Sequence, residues 1–176
     1  GLSSVSTDDI AAARTIASLL VKHGHREIAV IGGDTAVSEI SRNRLRGCEL
    51  AVAGSETRIA SYQVARFSFD GGYRAMEKIL ADRGEITAVF AMADVMALGA
   101  MRCIRDHGLR IPEDISVAGF DGLPYGQYFI PRLTTVAQSA VALAETSYRV
   151  LREQIATGRT RHISVPFSLT AGSSVG

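Results

Sequence analysis

Residues 116–136 read SVAGFDGLPYGQYFIPRLTTV. Together with Ile115, the first residues of this stretch form the short apolar run ISVAGF, which predicts a buried strand that ends at Asp121. In an open α/β sheet, ligands bind just outside the carboxyl ends of the strands. We therefore expect Asp121 to stand at a ligand-binding edge, although one aspartate taken alone is also explained as a turn former or a helix cap.

The rest of the chain alternates between short apolar runs and longer amphipathic ones. This rhythm predicts an α/β fold, a parallel sheet with helices on both faces. The predicted strands are 27–31, 63–67, 87–91 and 115–120, and HISVPFSL adds a last strand or extended crossing in which Pro166 disfavours a central position. The predicted helices start at Asp8 or Asp9, near Ser38, at Asp70 and at Asp94, and a fifth covers about 139–156.

The fifth predicted helix carries an apolar stripe. Its members recur at spacings of three and four residues, as one face of a helix requires: Val141, Ala144, Tyr148, Leu151 and Ile155. Such a stripe needs a surface to cover it.

The composition indicates an ordinary globular domain and excludes several classes of protein. The chain has 176 residues, 47% of them hydrophobic, and a formal net charge of +1, so it lacks the basic stripe of a nucleic-acid surface. Cys48 and Cys103 lie far apart in helical segments, which favours buried thiols in a reducing compartment. No apolar run reaches transmembrane length and no signal peptide is visible, although the chain opens abruptly at GLSSVSTDD.

Four predicted strand ends carry candidate ligand-binding groups. They supply Gly32–Asp34, Phe67, Asp94 and Asp121, and Arg44 lies one turn into the helix after the first. Arginine and aspartate can fix hydroxyls or carboxylates, while an aromatic ring offers a sugar or a base a face for stacking. Taken singly, Arg44 is equally explained as a surface residue, Phe67 as a core residue and Asp94 as a helix cap.

Signs of a metal site or of catalysis are scarce. The spacing of His23 and His25 suits a helix C-terminus better than two metal ligands on one face. The sequence contains no GxGxxG, no phosphate-binding GxxxxGK[ST] and no GxSxG. We expect no metal, no cofactor and no enzymatic activity, with Met76, Met96 and Met101 in the core.

Six segments occur in the order seen in bacterial LacI-type transcriptional regulators. They are GHREIAVIGG, RNRLRG, the segment 67–76 that ends in GGYRAM, TAVFAMADVMALGA, GLRIPEDISVAGFDGLP and PRLTTVAQ. The resemblance to this family, which includes the lactose, galactose and purine repressors, extends from Asp8 to Pro166.

The resemblance implies a fold and a site. Members resemble type I periplasmic sugar-binding proteins, in which two α/β subdomains close on a sugar or a nucleobase. By motif match, Arg44 and Asp121 bind the effector and Phe67 is the aromatic platform, while Asp8 lies near the cleft and Asp94 follows from its strand end. A sugar or related polyol is the expected effector, and a purine is the next choice.

The resemblance also implies partners and a domain division. We expect residues 1–130 to form the C-terminal subdomain, and 131–176 to contain a crossover, a late helix of the N-terminal subdomain and a return segment. The chain is then a fragment of a cytoplasmic homodimer that reaches operator DNA only through a helix-turn-helix domain absent from it, with no membrane partner. The implied dimer interface contains Leu98, Met101, Tyr128 and Phe129, of which Leu98 and Met101 are equally explained as core.

Three departures from the family pattern concern the ligand. Ala93 stands where many members have a polar residue, Gly122 replaces a frequent Asp or Asn, and LTAGSS lacks a usual arginine. Two alternative functions remain open at this point. One is a periplasmic sugar-binding protein of the same fold, and the other is a flavodoxin-like enzyme acting on a nucleotide or a sugar phosphate.

Overall fold

A computed structural model describes residues 1–82 and 84–176 as five α-helices, a short 3₁₀ helix and eight strands. The strands are β1 (Ser4–Thr7), β2 (Glu27–Gly32), β3 (Arg58–Val64), β4 (Ala88–Ala91), β5 (Ser116–Asp121), β6 (Thr134–Gln138), β7 (His162–Val165) and β8 (Phe167–Thr170). The helices are α1 (Asp9–Lys22), α2 (Glu39–Val52), α3 (Phe69–Ala81), α4 (Asp94–Asp106) and α5 (Ala140–Thr157), and the 3₁₀ helix is Pro124–Tyr128.

The main sheet has six strands in the order β3-β2-β4-β5-β6-β8, and all of its pairs are parallel except β6 with β8. Alternate residues of the central strands face opposite cores, as the period of a strand requires. Phe90 and Phe120 pack with α1 on one face, whereas Val89 and Val117 pack with α3 and α4 on the other. The predicted α/β architecture is confirmed.

The predicted bounds of one edge strand are wrong, and the last predicted strand is divided in two. The predicted strand 63–67 begins and ends too late, because β3 covers Arg58–Val64 and residues 65–67 form the connection to α3. β3 is an edge strand in which no residue is fully buried, and it lacks the apolar run that marks the central strands. HISVPFSL is interrupted at Pro166 and forms β7 and β8, of which β8 is the antiparallel edge of the main sheet.

The division at residue 130 does not separate the two sheets. β6 and β8 follow that residue and still belong to the main sheet, while β1 pairs in parallel with β7 in a separate two-stranded sheet. α5 packs against β1 and β7. The smaller unit therefore combines the first seven residues with α5 and β7.

The apolar stripe on α5 has no cover in the described chain. Val141, Tyr148, Leu151 and Ile155 are all more than half exposed, whereas Val150 on another face is buried. The expectation that this stripe needs a further surface is consistent with the structure. Within the described residues, no helix is long and apolar enough to cross a membrane.

The predicted capping residue is confirmed for α1 and is wrong for α3. Asp8 caps α1 as predicted, since its carboxylate accepts from the Ala11 amide at 2.9 Å. For α3 the cap is Ser68, whose hydroxyl accepts from the Gly71 amide, and Asp70 instead pairs with Arg74. Serine and aspartate are both strong N-caps, so composition alone could not separate them.

Helices α3 and α4 approach each other closely because glycines face the partner backbone. A Cβ on Gly72 would lie 2.0 Å from the Met96 carbonyl oxygen, and one on Gly99 would lie 2.0 Å from the Phe69 carbonyl oxygen. The backbone atoms at these contacts cannot rotate away as a side chain would. Any side chain at either position would therefore force the helices apart.

Gly72→Ala should lower the free energy of unfolding by about 2–3 kcal/mol, because overpacking forces α3 away from α4. Urea unfolding of the chain measures the change. Glu77→Ala, at an exposed position of the same helix, is the control and should stay within about 0.5 kcal/mol of the parent. Equal stability of Gly72→Ala and Glu77→Ala would contradict the close-packed interface.

Candidate functional site

Arg44 is the centre of the site at the carboxyl ends of the strands. Its side chain is buried, and its Nε donates to Asp9 Oδ1 at 2.8 Å while Nη1 donates to the Met92 carbonyl oxygen. The guanidinium lies 3.6 Å from the centroid of the Phe120 ring, and Nη1 is 3.8 Å from Asp121 Oδ1. One side chain thus joins α1, α2 and the ends of β4 and β5.

The packing of α1 against α2 brings this cluster together. A Cβ on Gly47 would lie 2.4 Å from the Ile10 carbonyl oxygen, so the two helices touch through their backbones at that point. Arg44 lies three residues before Gly47, and Asp9 lies one residue before Ile10. The close contact therefore places Arg44 beside the first turn of α1.

Asp121 ends β5 in an unusual backbone conformation. Its φ is +122°, in a region that side-chain-bearing residues rarely adopt, and the following Gly122 has a φ of +74°. The Asp121 side chain is 28% exposed, and its Oδ1 accepts from Gln138 Nε2 at 2.9 Å. Burial raises the pKa of Asp121 above its usual range, while the Arg44 charge acts in the opposite direction.

Asp94 does not cap α4 and does not reach the open edge. Ala93 is the N-cap residue without a side-chain bond, and Asp94 is the first helical residue, with no exposed surface. Its Oδ1 accepts from the Thr135 hydroxyl at 2.6 Å and its Oδ2 accepts from the Leu123 amide at 2.6 Å. Burial raises the pKa of Asp94 to about 6. Its carboxylate therefore links the start of α4 to β6 and to the turn after β5.

Phe67 lies in the connection between β3 and α3, three residues beyond the end of the strand from which it was predicted. Its side chain is 45% exposed, and its ring lies over Gly33, where an added Cβ would be 2.8 Å from Cε2. Beneath the same turn, the Tyr62 hydroxyl donates to the Gly33 carbonyl oxygen at 2.5 Å, and burial raises the pKa of Tyr62 to about 12. Tyr62 was not predicted from the sequence as part of the site. The available signal was a single aromatic residue in the otherwise mainly polar segment ASYQ.

Asp9, and not the predicted cleft residue Asp8, contacts Arg44. Asp8 is exposed and engaged in capping α1, whereas Asp9 makes the ion pair with Arg44. The sequence offered both aspartates at the helix start and no signal that separates them. The structure brings Arg44, Asp121 and Asp9 together, with Phe67 beside the turn after β2.

The arrangement suits recognition of a small polar ligand. The partly exposed Asp121 carboxylate accepts hydrogen bonds, and the exposed Phe67 ring provides an apolar face. Arg44 is held rigid by its protein contacts, so no ordering of a free arginine opposes binding.

The four predicted dimer residues occupy two environments. Leu98 and Met101 are buried in the chain's own core, which agrees with the alternative assignment. Tyr128 is 86% exposed and Phe129 is 40% exposed. Both aromatic residues line an open cavity of about 580 Å³, together with Met101, Arg102, Arg105, Asp106 and Ile130.

The described residues offer no metal site and no activated thiol. No group of three or more His, Cys, Asp and Glu side chains among them could hold a metal ion. His25 Nδ1 is within 2.8 Å of the Thr87 hydroxyl, and burial lowers the pKa of His25. Cys48 and Cys103 are free and buried as predicted, and burial raises the pKa of both thiols, which keeps them protonated.

Comparisons with known proteins agree on the fold and on the class of protein. A family model described as a periplasmic binding protein-like domain matches residues 17–175. The HTH-type transcriptional repressor PurR of Escherichia fergusonii is 36% identical over 148 residues, which cover 83% of this chain and 43% of that repressor. The chain thus spans less than half the length of this curated relative.

Solved structures of LacI-type regulators superimpose on nearly the whole chain. A LacI family regulator from Enterococcus faecium with bound ribose has a TM-score of 0.89 and 28% identity, covering 98% of this chain and 65% of that one. The lac repressor dimer bound to operator and an anti-inducer has a TM-score of 0.89 and 30% identity, covering 98% and 60%. The predicted resemblance is confirmed.

Asp94→Asn should change how stability depends on pH. Because the folded state binds the Asp94 proton more tightly than the unfolded chain does, this group's contribution is complete below about pH 4 and is lost as the pH rises through about 6. Relative to Asp94→Asn, the parent should lose up to about 3 kcal/mol between pH 4 and pH 7.5. Urea unfolding across this range measures the difference, and parallel pH profiles would contradict the raised pKa.

Proposed function

The chain belongs to the periplasmic binding protein-like domain family, in its LacI-type regulator branch. We propose that it binds a small-molecule effector that controls a DNA-binding domain. The observation that carries the proposal is the Asp9–Arg44–Asp121 cluster at the carboxyl ends of parallel strands, where α/β sheets bind ligands. A buried arginine and a strained aspartate are each energetically costly, and such groups concentrate at functional sites.

The best class of effector is a pentose, hexose or related polyol. Vicinal hydroxyls fit the hydrogen-bonding groups of Arg44, Asp121 and Gln138, and the Phe67 ring suits the apolar face of a sugar. The ribose-bound relative supports a sugar, while the PurR relative makes a purine the second choice. Ala93, which presents no polar side chain at the end of β4, reduces the number of bonds available to either.

The proposed mechanism is a population shift in the whole regulator. An effector bound at the strand ends stabilises one arrangement of the two subdomains and so favours one spacing of the DNA-binding domains. We place the regulator in the cytoplasm as a binding protein without enzymatic activity. The relatives named as repressors favour this function over a periplasmic sugar carrier or a flavodoxin-like enzyme.

We also propose that the regulator is a homodimer and that the cavity beside Tyr128 belongs to the subunit interface. Tyr128 and Ile130 are both more than three-quarters exposed, and they adjoin Phe129 and Met101. Exposed aromatic and aliphatic side chains in one patch are typical of protein interfaces. The dimeric lac repressor among the structural neighbours supports this assignment.

Effector binding is tested in the full-length protein with a thermal-shift panel of sugars and purine bases, followed by calorimetry. Arg44→Ala and Asp121→Ala should each weaken binding by about 10- to 100-fold, since each removes hydrogen bonds from a charged group. Arg46→Ala is the control, because Arg46 is exposed on the same helix and, among the described residues, its one ion pair is with Glu49. Unchanged affinity in both site variants would contradict the proposed site.

Self-association is tested by analytical ultracentrifugation of the full-length protein. Tyr128→Ala should weaken the dimer by about tenfold or more, as for a truncated interface aromatic. Tyr148→Ala is the matched control, since Tyr148 is similarly exposed on the α5 stripe, away from the cavity. A dimer weakened by Tyr148→Ala and unaffected by Tyr128→Ala would place the interface on α5 instead.

A further inference from the structure

The buried Asp94 carboxylate holds three parts of the fold together. Asp94 begins α4, its Oδ1 accepts from Thr135 in β6, and its Oδ2 accepts from the Leu123 amide. The approach is close, because a Cβ on Gly119 of β5 would lie 2.3 Å from Asp94 Oδ1. A glycine at that position is therefore required for the carboxylate to reach its partners.

The turn that Asp94 holds is the one that presents Asp121. Leu123 follows Asp121 and Gly122, which both have positive φ. The turn also has no spare room, since a Cβ on Gly122 would lie 2.3 Å from the Ala137 Cβ. A turn with two such conformations persists only where its surroundings determine it. The bond from Leu123 to Asp94 supplies that constraint.

The same bond leads toward the proposed subunit interface. Leu123 is the N-cap of the 3₁₀ helix Pro124–Tyr128, which delivers Tyr128 and Phe129 to the cavity. Residues of α4, among them Met101 and Arg102, also line that cavity. Asp94 therefore contacts the start of both elements that line the cavity, because it begins α4 and binds the N-cap residue of the 3₁₀ helix.

We propose that Asp94 is a positioning residue that holds Asp121 in its effector-binding conformation and links this turn to the Tyr128 surface. The inference rests on the proposed function, and it goes beyond it by assigning a coupling role to a side chain that touches no ligand. The effector meets an Asp121 carboxylate whose turn is already held by the bond from Leu123 to Asp94, and the same bond fixes the start of the 3₁₀ helix on α4. The coupling is the free energy that the Asp94 bonds contribute to the described arrangement of the turn and the 3₁₀ helix together.

Three substitutions in the full-length protein separate positioning from general stability. Asp94→Ala removes both hydrogen bonds, and Thr135→Val removes one of them. Asp94→Asn preserves both, because its amide oxygen can accept from Leu123 while its NH₂ donates to the Thr135 hydroxyl. Deuterium uptake by residues 119–130 and calorimetry with D-ribose and with hypoxanthine are the two measurements, and uptake by α1 is the internal control.

Asp94→Ala should raise deuterium uptake at least tenfold in both 121–123 and 124–130 and leave α1 unchanged. It should also weaken binding of whichever probe the parent binds by at least tenfold. Asp94→Asn should stay within about threefold of the parent at pH 7, and Thr135→Val should lie between the two. If Asp94→Ala fails to fold, the Thr135→Val and Asp94→Asn pair decides by the same measurements.

The inference is overturned if uptake in 124–130 follows the parent while uptake in 121–123 rises, because the turn and the Tyr128 surface are then uncoupled. It is also overturned if loss of the Asp94 bonds leaves probe affinity unchanged while Asp121→Ala lowers it, and the proposed function then stands. If the parent binds neither probe, the choice of effector fails, and the uptake pattern alone decides the role of Asp94.

Discussion

The buried guanidinium of Arg44 is the interaction on which the site depends. Removing a charge from water is costly, so a buried arginine persists only where acceptors surround it. Asp9, the Met92 carbonyl and the Phe120 ring provide that environment, and Asp121 lies just beyond it. Since these partners come from α1 and from the ends of β4 and β5, the charge aligns the elements that form the binding edge.

A second buried charged group, Asp94, holds the turn at the end of β5. Asp94 satisfies its two oxygens with Thr135 and Leu123, which fixes the turn that carries Asp121. Arg44 and Asp94 therefore both act on Asp121, the first through its charge and the second through the backbone at Leu123. A ligand that competes for Asp121 meets a group whose position is already determined, which lowers the entropic cost of binding.

Much of the fold could be predicted because the central strands are buried on both faces. Residues 27–31 and 115–120 are continuous apolar runs, and the structure places β2 and β5 there. β3 is a half-exposed edge strand without such a run, so local pattern placed it several residues too late, whereas Pro166 correctly indicated that β8 is not a central strand. Arg44, Phe67 and Asp121 followed from strand ends and motifs, whereas Asp9 and Tyr62 contribute through contacts between segments far apart in sequence.

The most direct test of the central claim is effector affinity in full-length protein carrying Arg44→Lys, measured by calorimetry. Lysine retains the positive charge and loses the planar fork that contacts Asp9 and the Met92 carbonyl at once. If the geometry of Arg44 organises the site, affinity for the effector should fall by about tenfold or more while the fold remains intact by circular dichroism. Affinity equal to that of the parent would show that a positive charge at this position is sufficient, and it would contradict the account.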